Sequence, residues 1–181
     1  MFRLDTLESS KNKIIQSKYT TTWDDFLKKV DLVPISILFS MASLESSNLS
    51  SRFAELANNI YGRHDLASCK LNVDCVGAIG SKVRLILYKN LADTIDDQVR
   101  YLNRHWAYKE FRRLRYEPRA KGNGVDGYAI SPGLFRYSAF GHRYGDILRT
   151  IMSQNTSWVK YDNMDMFVND PAANIILSQR N

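Results

Sequence analysis

A chain of 181 residues, 44% hydrophobic and 24% charged, is long enough to bury its own core, which excludes both a disordered tail and a staple-dependent miniprotein. Nine glycines and four prolines exclude a fibrous chain, and the best apolar stretch, 32–44, is broken by Pro34, Ser36, Ser40 and Ser43 and is too short to span a membrane. The whole net charge of +6 arises between residues 100 and 121, where eight basic side chains face only Glu110 and Glu117.

Residues 1–20 form a polar N-terminal segment. Thr22, followed by Asp25, reads as an N-cap with an acidic residue at the third helical position, opening a helix that turns Phe26, Leu27 and Val30 inward. Pro34 opens a second helix. Its apolar residues Ile35, Ile37, Leu38, Phe39, Met41, Ala42 and Leu44 surround it, and a short helix apolar on every side is a buried central one. Glu45 ends it. Ser50 or Ser51 caps a third helix, with Phe53, Ala54, Leu56 and Ala57 on its buried side and Asn58-Asn59 at its end.

From Gly62 to Tyr88 the helical period is lost. Residues 75–79 and 82–88 read as two strands joined by a turn near Gly80-Ser81. Leu91, Ile95, Val99 and Leu102 then recur at helical spacing. Another helix, 106–116, carries the basic cluster and stops before Pro118. A last core helix follows Tyr144, with Ile147, Leu148, Ile151 and Met152 on one side, and Asp170-Pro171 marks a short terminal helix. The fold class is α+β, mostly α, with one small hairpin.

Among the side chains that could carry chemistry, Glu45 stands out. Leu38, Met41 and Ala42 share its helix face, so its carboxyl starts in an apolar setting. Burial raises a carboxyl pKa and supplies the protonated form that a general acid requires. The plainer alternative places Glu45 at the solvated end of its helix. Tyrosines 61, 88, 101, 108, 116, 128, 137 and 144, with Trp106, offer rings for stacking on sugars or bases, or for ordinary packing.

Cys69 and Cys75 stand six positions apart in a polar segment. They either close a small disulfide loop, worth about 2 kcal/mol by loop entropy and placing the chain outside the cytosol, or stay reduced. With His64 they give His-x4-Cys-x5-Cys, which lacks a fourth ligand and fits no compact zinc pattern, so no metal site is expected. His105 and His142 add no metal spacing. No phosphate loop, nucleophile elbow or Cys-His pair is present, and no cofactor is expected. The start of the chain has no apolar signal core. The basic segment fits an anionic partner, whether nucleic acid, acidic lipid or anionic wall polymer, or else a solvated helix face.

Five stretches in order carry a resemblance. Val33-Pro34-Ile35-Ser36, Met41-Ala42-Ser43-Leu44-Glu45-Ser46, Ser51-Arg52-Phe53-Ala54 and Asn58-Asn59-Ile60-Tyr61-Gly62 resemble the bacterial glucosaminidase family, glycoside hydrolase family 73, with its A-x-x-E-S, S-x-F-A and N-N-L-F-G pattern. Residues 100–115 (RYLNRHWAYKEFRRLR) and Tyr137-Ser138 through Tyr144 are similar to its Bax-like branch, as is the cysteine pair. The resemblance covers roughly residues 30–155.

It implies a lysozyme-like helical domain over 21–155 with a β-hairpin lobe beside a cleft, followed by a C-terminal extension over 156–181. It further implies hydrolysis of the bond after N-acetylglucosamine in peptidoglycan. Glu45 takes the general acid's position and Tyr137 that of the cleft tyrosine. Asn58, Asn59, Tyr61, Tyr88, Tyr108 and Tyr144 are the expected substrate-side residues, and Asp74 or Asp65 the candidate second carboxylate. Where the family usually has G-W-G after E-S, this chain has Ser47-Asn48-Leu49, without the aromatic sugar contact. Gln98 replaces a tyrosine. Lysozyme or lytic transglycosylase specificity on the same fold, or a catalytically weak wall-binding module, are the alternatives.

The implied partners are peptidoglycan strands, an anionic wall polymer on the face of Arg104, Lys109, Arg112, Arg113, Arg115 and Arg119, and a protein regulator or inhibitor. Neither nucleic acid nor a membrane span is expected. The implied location is periplasmic or secreted.

Overall fold

The computed structural model describes residues 22–64, 75–77 and 84–162. The segment 1–20 and the terminal helix expected at Asp170-Pro171 lie outside them. The described chain is mostly helical. Its helices are α1 (Trp23–Lys29), α2 (Ile35–Glu45), α3 (Arg52–Ala57), α4 (Leu91–Arg104), α5 (Lys109–Ala120), α6 (Gly127–Ile130) and α7 (Arg143–Gln154). Short 3-10 turns at Trp106–Tyr108, Ser131–Leu134 and Thr156–Tyr161 join or follow them.

Helix α2 is the centre. Ile37 and Met41 are fully buried, and with Leu102, Phe111, Leu134, Tyr144 and Leu148 they make one core. Each such side chain contributes about 1.5–3 kcal/mol by leaving water. The helix is buried nearly all round, as its composition implies, although Phe39 stays exposed and meets Trp158 edge-on at 5.5 Å. The buried Ser40 hydroxyl is satisfied locally, donating to the Ser36 carbonyl at 2.7 Å.

Side-chain caps start three helices, two of them at residues that the sequence singles out as caps. Thr22 Oγ1 accepts the Asp25 N–H, Ser51 Oγ the Ala54 N–H and Asn90 Oδ1 the Asp93 N–H. Helix α1, however, lies on the surface: Phe26 and Val30 are exposed rather than turned inward, and Phe26 stacks on Trp23 at 5.4 Å. In α3, Ala54 and Ala57 take the inner face three residues apart, which leaves Leu56 on the outer one, 64% exposed.

Strands β1 (Cys75–Val76) and β2 (Leu85–Ile86) pair antiparallel, Cys75 opposite Ile86. They are shorter than the expected 75–79 and 82–88, in part because the Tyr88 N–H donates to the Ala57 carbonyl at the end of α3 instead. Residues 78–83 lie outside the described structure.

Helix α5 does not stop before Pro118 but runs through it to Ala120. The proline sits in the last turn, where one lost backbone bond is tolerated, and its carbonyl accepts the N–H groups of Lys121 and Asn123. The expected basic face of this helix is largely consumed inside the fold. Arg112 is buried and donates to the carbonyls of Leu102 and His105 at 2.9 and 2.8 Å. Arg115 is fully buried and donates to the Lys28 carbonyl and to Asn103 Oδ1. Burial pushes its guanidinium down to about 10, and Asp31, shared with Arg119, lies within ion-pair distance of it. Arg113 is held between Glu110 and Glu117. Arg112 and Arg115 thus hold neighbouring segments together, and exposed Arg113 is paired within its own helix.

The stretch after α7 folds back on α2. Pro34 cannot cap the helix with its own side chain, and buried Asp162 does so from a distance. Its Oδ1 accepts the Ser36 N–H at 2.8 Å, and its Oδ2 accepts Ser36 Oγ–H at 2.6 Å and the Gly127 N–H at 2.8 Å. Position 127 has to be glycine, because a Cβ there would stand 2.0 Å from Ser36 Oγ.

Candidate active site

Glu45 is the last residue of α2, and its side chain is half-buried against the core. Tyr144, fully buried on α7, donates its hydroxyl to Glu45 Oε1 at 2.8 Å. Burial raises the Glu45 pKa, and the Tyr144 hydrogen bond offsets part of that rise. The other oxygen faces Gly62, whose backbone passes with φ +64°; a Cβ there would come 4.0 Å from Oε2. One carboxylate oxygen is therefore fixed and the other borders bare backbone. That arrangement suits a carboxyl that must deliver a proton.

Behind the carboxyl stands a stack of tyrosines. Tyr137 packs on Tyr144 at 5.2 Å and Tyr108 on Tyr137 at 5.9 Å, and the Tyr137 hydroxyl donates to the Tyr61 carbonyl at 2.9 Å. Burial raises the pKa of all four phenols, with the Glu45 charge adding to the rise at Tyr137 and Tyr144, so they stay protonated.

The Asn58-Asn59 pair has a clear physical role. Asn58 ends α3 in the left-handed conformation, and its Nδ2 donates to the Tyr88 carbonyl. Asn59 is buried; its Nδ2 donates to the carbonyls of Arg63 and Ile86, and its Oδ1 accepts the Arg63 N–H. Together they fasten strand β2 and the 60–63 turn beside Glu45. Of the six residues expected on the substrate side, Tyr61, Tyr88, Tyr108 and Tyr144 are buried, and the amide nitrogens of Asn58 and Asn59 donate to backbone carbonyls.

The turn after Glu45 is strained. Ser47, Asn48 and Leu49 all have positive φ, +53°, +56° and +67°. Buried Ser46 holds it: its Oγ donates to the Ala42 carbonyl at 2.5 Å and accepts the Leu49 N–H at 2.7 Å.

Sequence reasoning missed a neighbouring cluster. Arg63 lays its guanidinium over the Tyr101 ring at 3.5 Å and donates Nε–H to Asp97 Oδ2 at 3.0 Å. Tyr88 donates its hydroxyl to the same oxygen at 2.5 Å. Spacing gave no signal for it, because its members come from three separate segments. Asp65, Asp74 and Cys69 lie outside the described residues. Cys75 is disulfide-bonded. Among the described residues no helix is long and apolar enough to cross a membrane.

Residues 20–157 match the family model Glucosaminidase, described as mannosyl-glycoprotein endo-β-N-acetylglucosaminidase. Protein bax of Escherichia coli (strain K12) is 28% identical over 133 residues, covering 74% of this chain and 47% of that protein. The chain thus spans about half the length of that curated relative. No solved structure matches. The family match runs from α1 through α7 and takes in Glu45, its Tyr144 donor and the Asn-Asn turn. On that extent of agreement, the chain belongs to the glucosaminidase family of glycosidases, in its Bax-like branch.

Proposed function

We propose that this chain is a peptidoglycan hydrolase, an endo-β-N-acetylglucosaminidase that cleaves the GlcNAc-β-1,4-MurNAc bond with Glu45 as general acid. The observation that carries this reading is the half-buried Glu45 carboxyl with its raised pKa, held at one oxygen by Tyr144. The raised pKa favours the protonated form, which gives its proton to the departing glycosidic oxygen. The helical domain around α2 is read as lysozyme-like, with the paired strands as the base of a β lobe beside the cleft.

The second step has two routes. If Asp65 or Asp74 reaches the cleft, it activates water in an inverting reaction, with carboxyls about 6.5–9.5 Å apart. In the favoured route, the substrate's own N-acetyl oxygen attacks the sugar carbon, and water later opens the resulting ring. Tyr137 fits this route. It takes the position of the family's cleft tyrosine, its hydroxyl donates to the Tyr61 carbonyl, and its role in this route is to stabilise the charge that develops on the acetamido group. The disulfide at Cys75 supports a periplasmic or secreted location.

A specific observation also favours a weak-cleft reading. The turn that usually supplies an aromatic residue after the acid carries Leu49 here, 50% exposed. Digestion of purified sacculi separates the two. Wild type should release fragments with reducing N-acetylglucosamine ends, and Glu45→Gln should lose that release by about a hundredfold or more. Anhydro-muramic ends would indicate lytic cleavage. Sedimentation with sacculi and no release from either protein would indicate a binding module.

A further inference from the structure

With Arg112 and Arg115 of α5 turned inward and exposed Arg113 paired with Glu110 and Glu117, the unpaired positive charge gathers beside them. A groove of about 620 Å³ opens between α1, the 105–110 region and residues 135–136. Lys29, Arg104, Lys109 and Arg136 line it; all are exposed, and none has a carboxylate within ion-pair distance among the described residues. Its two acidic members are already engaged, Glu110 by Arg113 and Asp25 by Lys28 at 3.9 Å. Trp106 stands in the groove 70% exposed, with the Arg136 guanidinium 5.5 Å from its ring centre.

An indole left in water beside four unpaired cations is a recognition surface for a flat, anionic group. Guanidinium forks bind carboxylates at two points, and the ring stacks on amide or sugar planes. Through the core, the rings of Tyr137, Tyr108, His105 and Trp106 follow one another from Tyr144 in steps of 5.2 to 5.9 Å, which sets an upper bound of about 22 Å on the distance from Tyr144 to the groove. At about 3.3 Å per residue, an extended peptide of about seven residues spans the whole of it.

We propose that this groove binds the carboxylate-bearing peptide substituents of the glycan whose sugar occupies the Glu45 site. The proposal rests on the peptidoglycan reading above and adds a second point of attachment to it. A ligand held at two points gains affinity through effective concentration, so the groove selects peptide-bearing strands over bare ones.

The test uses glycan strands prepared from sacculi in two forms, with peptides intact and with peptides removed by an amidase. Binding is measured on Glu45→Gln protein, so that no strand is consumed. The paired change Trp106→Ala with Arg136→Ala, and separately Arg136→Glu, alters only exposed side chains, and calorimetry confirms that each variant folds. Both variants should bind peptide-bearing strands about tenfold more weakly, the loss of one stacked ring and one charge-assisted contact, and bind stripped strands unchanged. Equal weakening on both strands, or no weakening on either, overturns the proposal. So does a groove that binds duplex DNA while peptide-bearing strands ignore the substitutions. Failure of the enzymatic reading looks different: wild type would then cleave neither strand, whatever the variants do to binding.

Discussion

At Ser47, Asn48 and Leu49 the chain takes three left-handed residues in succession immediately after its candidate acid. For an L-residue this costs about 1–2 kcal/mol each, least for asparagine. Glycines on either side of an aromatic residue, the pattern usual in the family, would remove that cost at positions 47 and 49. Leu49→Gly should therefore raise stability by about 0.5–1 kcal/mol, the relief of strain less the extra freedom glycine has when unfolded. A denaturant midpoint shifted upward at constant slope would confirm it, and a downward shift would mean that the Leu49 side chain contributes packing that outweighs the strain. The strain was not legible in the sequence, since nothing about a leucine announces positive φ. Only the departure from the family pattern pointed to the turn. Glu45 itself was legible, because its apolar neighbours at helical spacing are local.

The same distinction between local and distant partners holds for whole elements. Thr22 and Ser51 were readable as caps because a cap acts over three residues. The cap of α2 was not, since Asp162 lies 126 residues beyond the Ser36 it serves. Pro118 misled because the penalty for proline belongs to a helix interior, and in the last turn of α5 only one backbone bond is forgone. Arg112 and Arg115 misled because charge in a sequence is silent about burial. Asp162→Ala should cost about 2–4 kcal/mol, the sum of a lost N-cap and an orphaned Gly127 N–H. Thermal unfolding measures it. A loss below about 0.5 kcal/mol would mean that water replaces the carboxylate. Because α2 carries Glu45, the proposed hydrolysis should become heat-sensitive in parallel, with little change at low temperature.

Across the whole molecule, Glu45 sets up an opposition between stability and function. Its folded pKa lies above its unfolded value, so the folded state prefers the protonated form. That preference supports the fold at low pH. It is lost as pH rises from the ordinary carboxyl value near 4.5 through the raised one, because ionising the half-buried group then opposes folding. Glu45→Gln should accordingly be more stable than wild type at pH 7, with the gain vanishing below about pH 4. Melting curves of the two proteins across that range check the sign. Wild type more stable than the variant at pH 7 would show that Tyr144 holds the ionised carboxylate strongly enough to outweigh its burial.

Tyr144 lies 99 residues beyond the carboxyl it serves. A chain not yet folded carries Glu45 as an ordinary carboxyl in water. The half-buried carboxyl with its raised pKa exists only after the last core helix has closed on the second. On the proposed function, incomplete or unfolded copies therefore lack the buried acid that the finished protein would use.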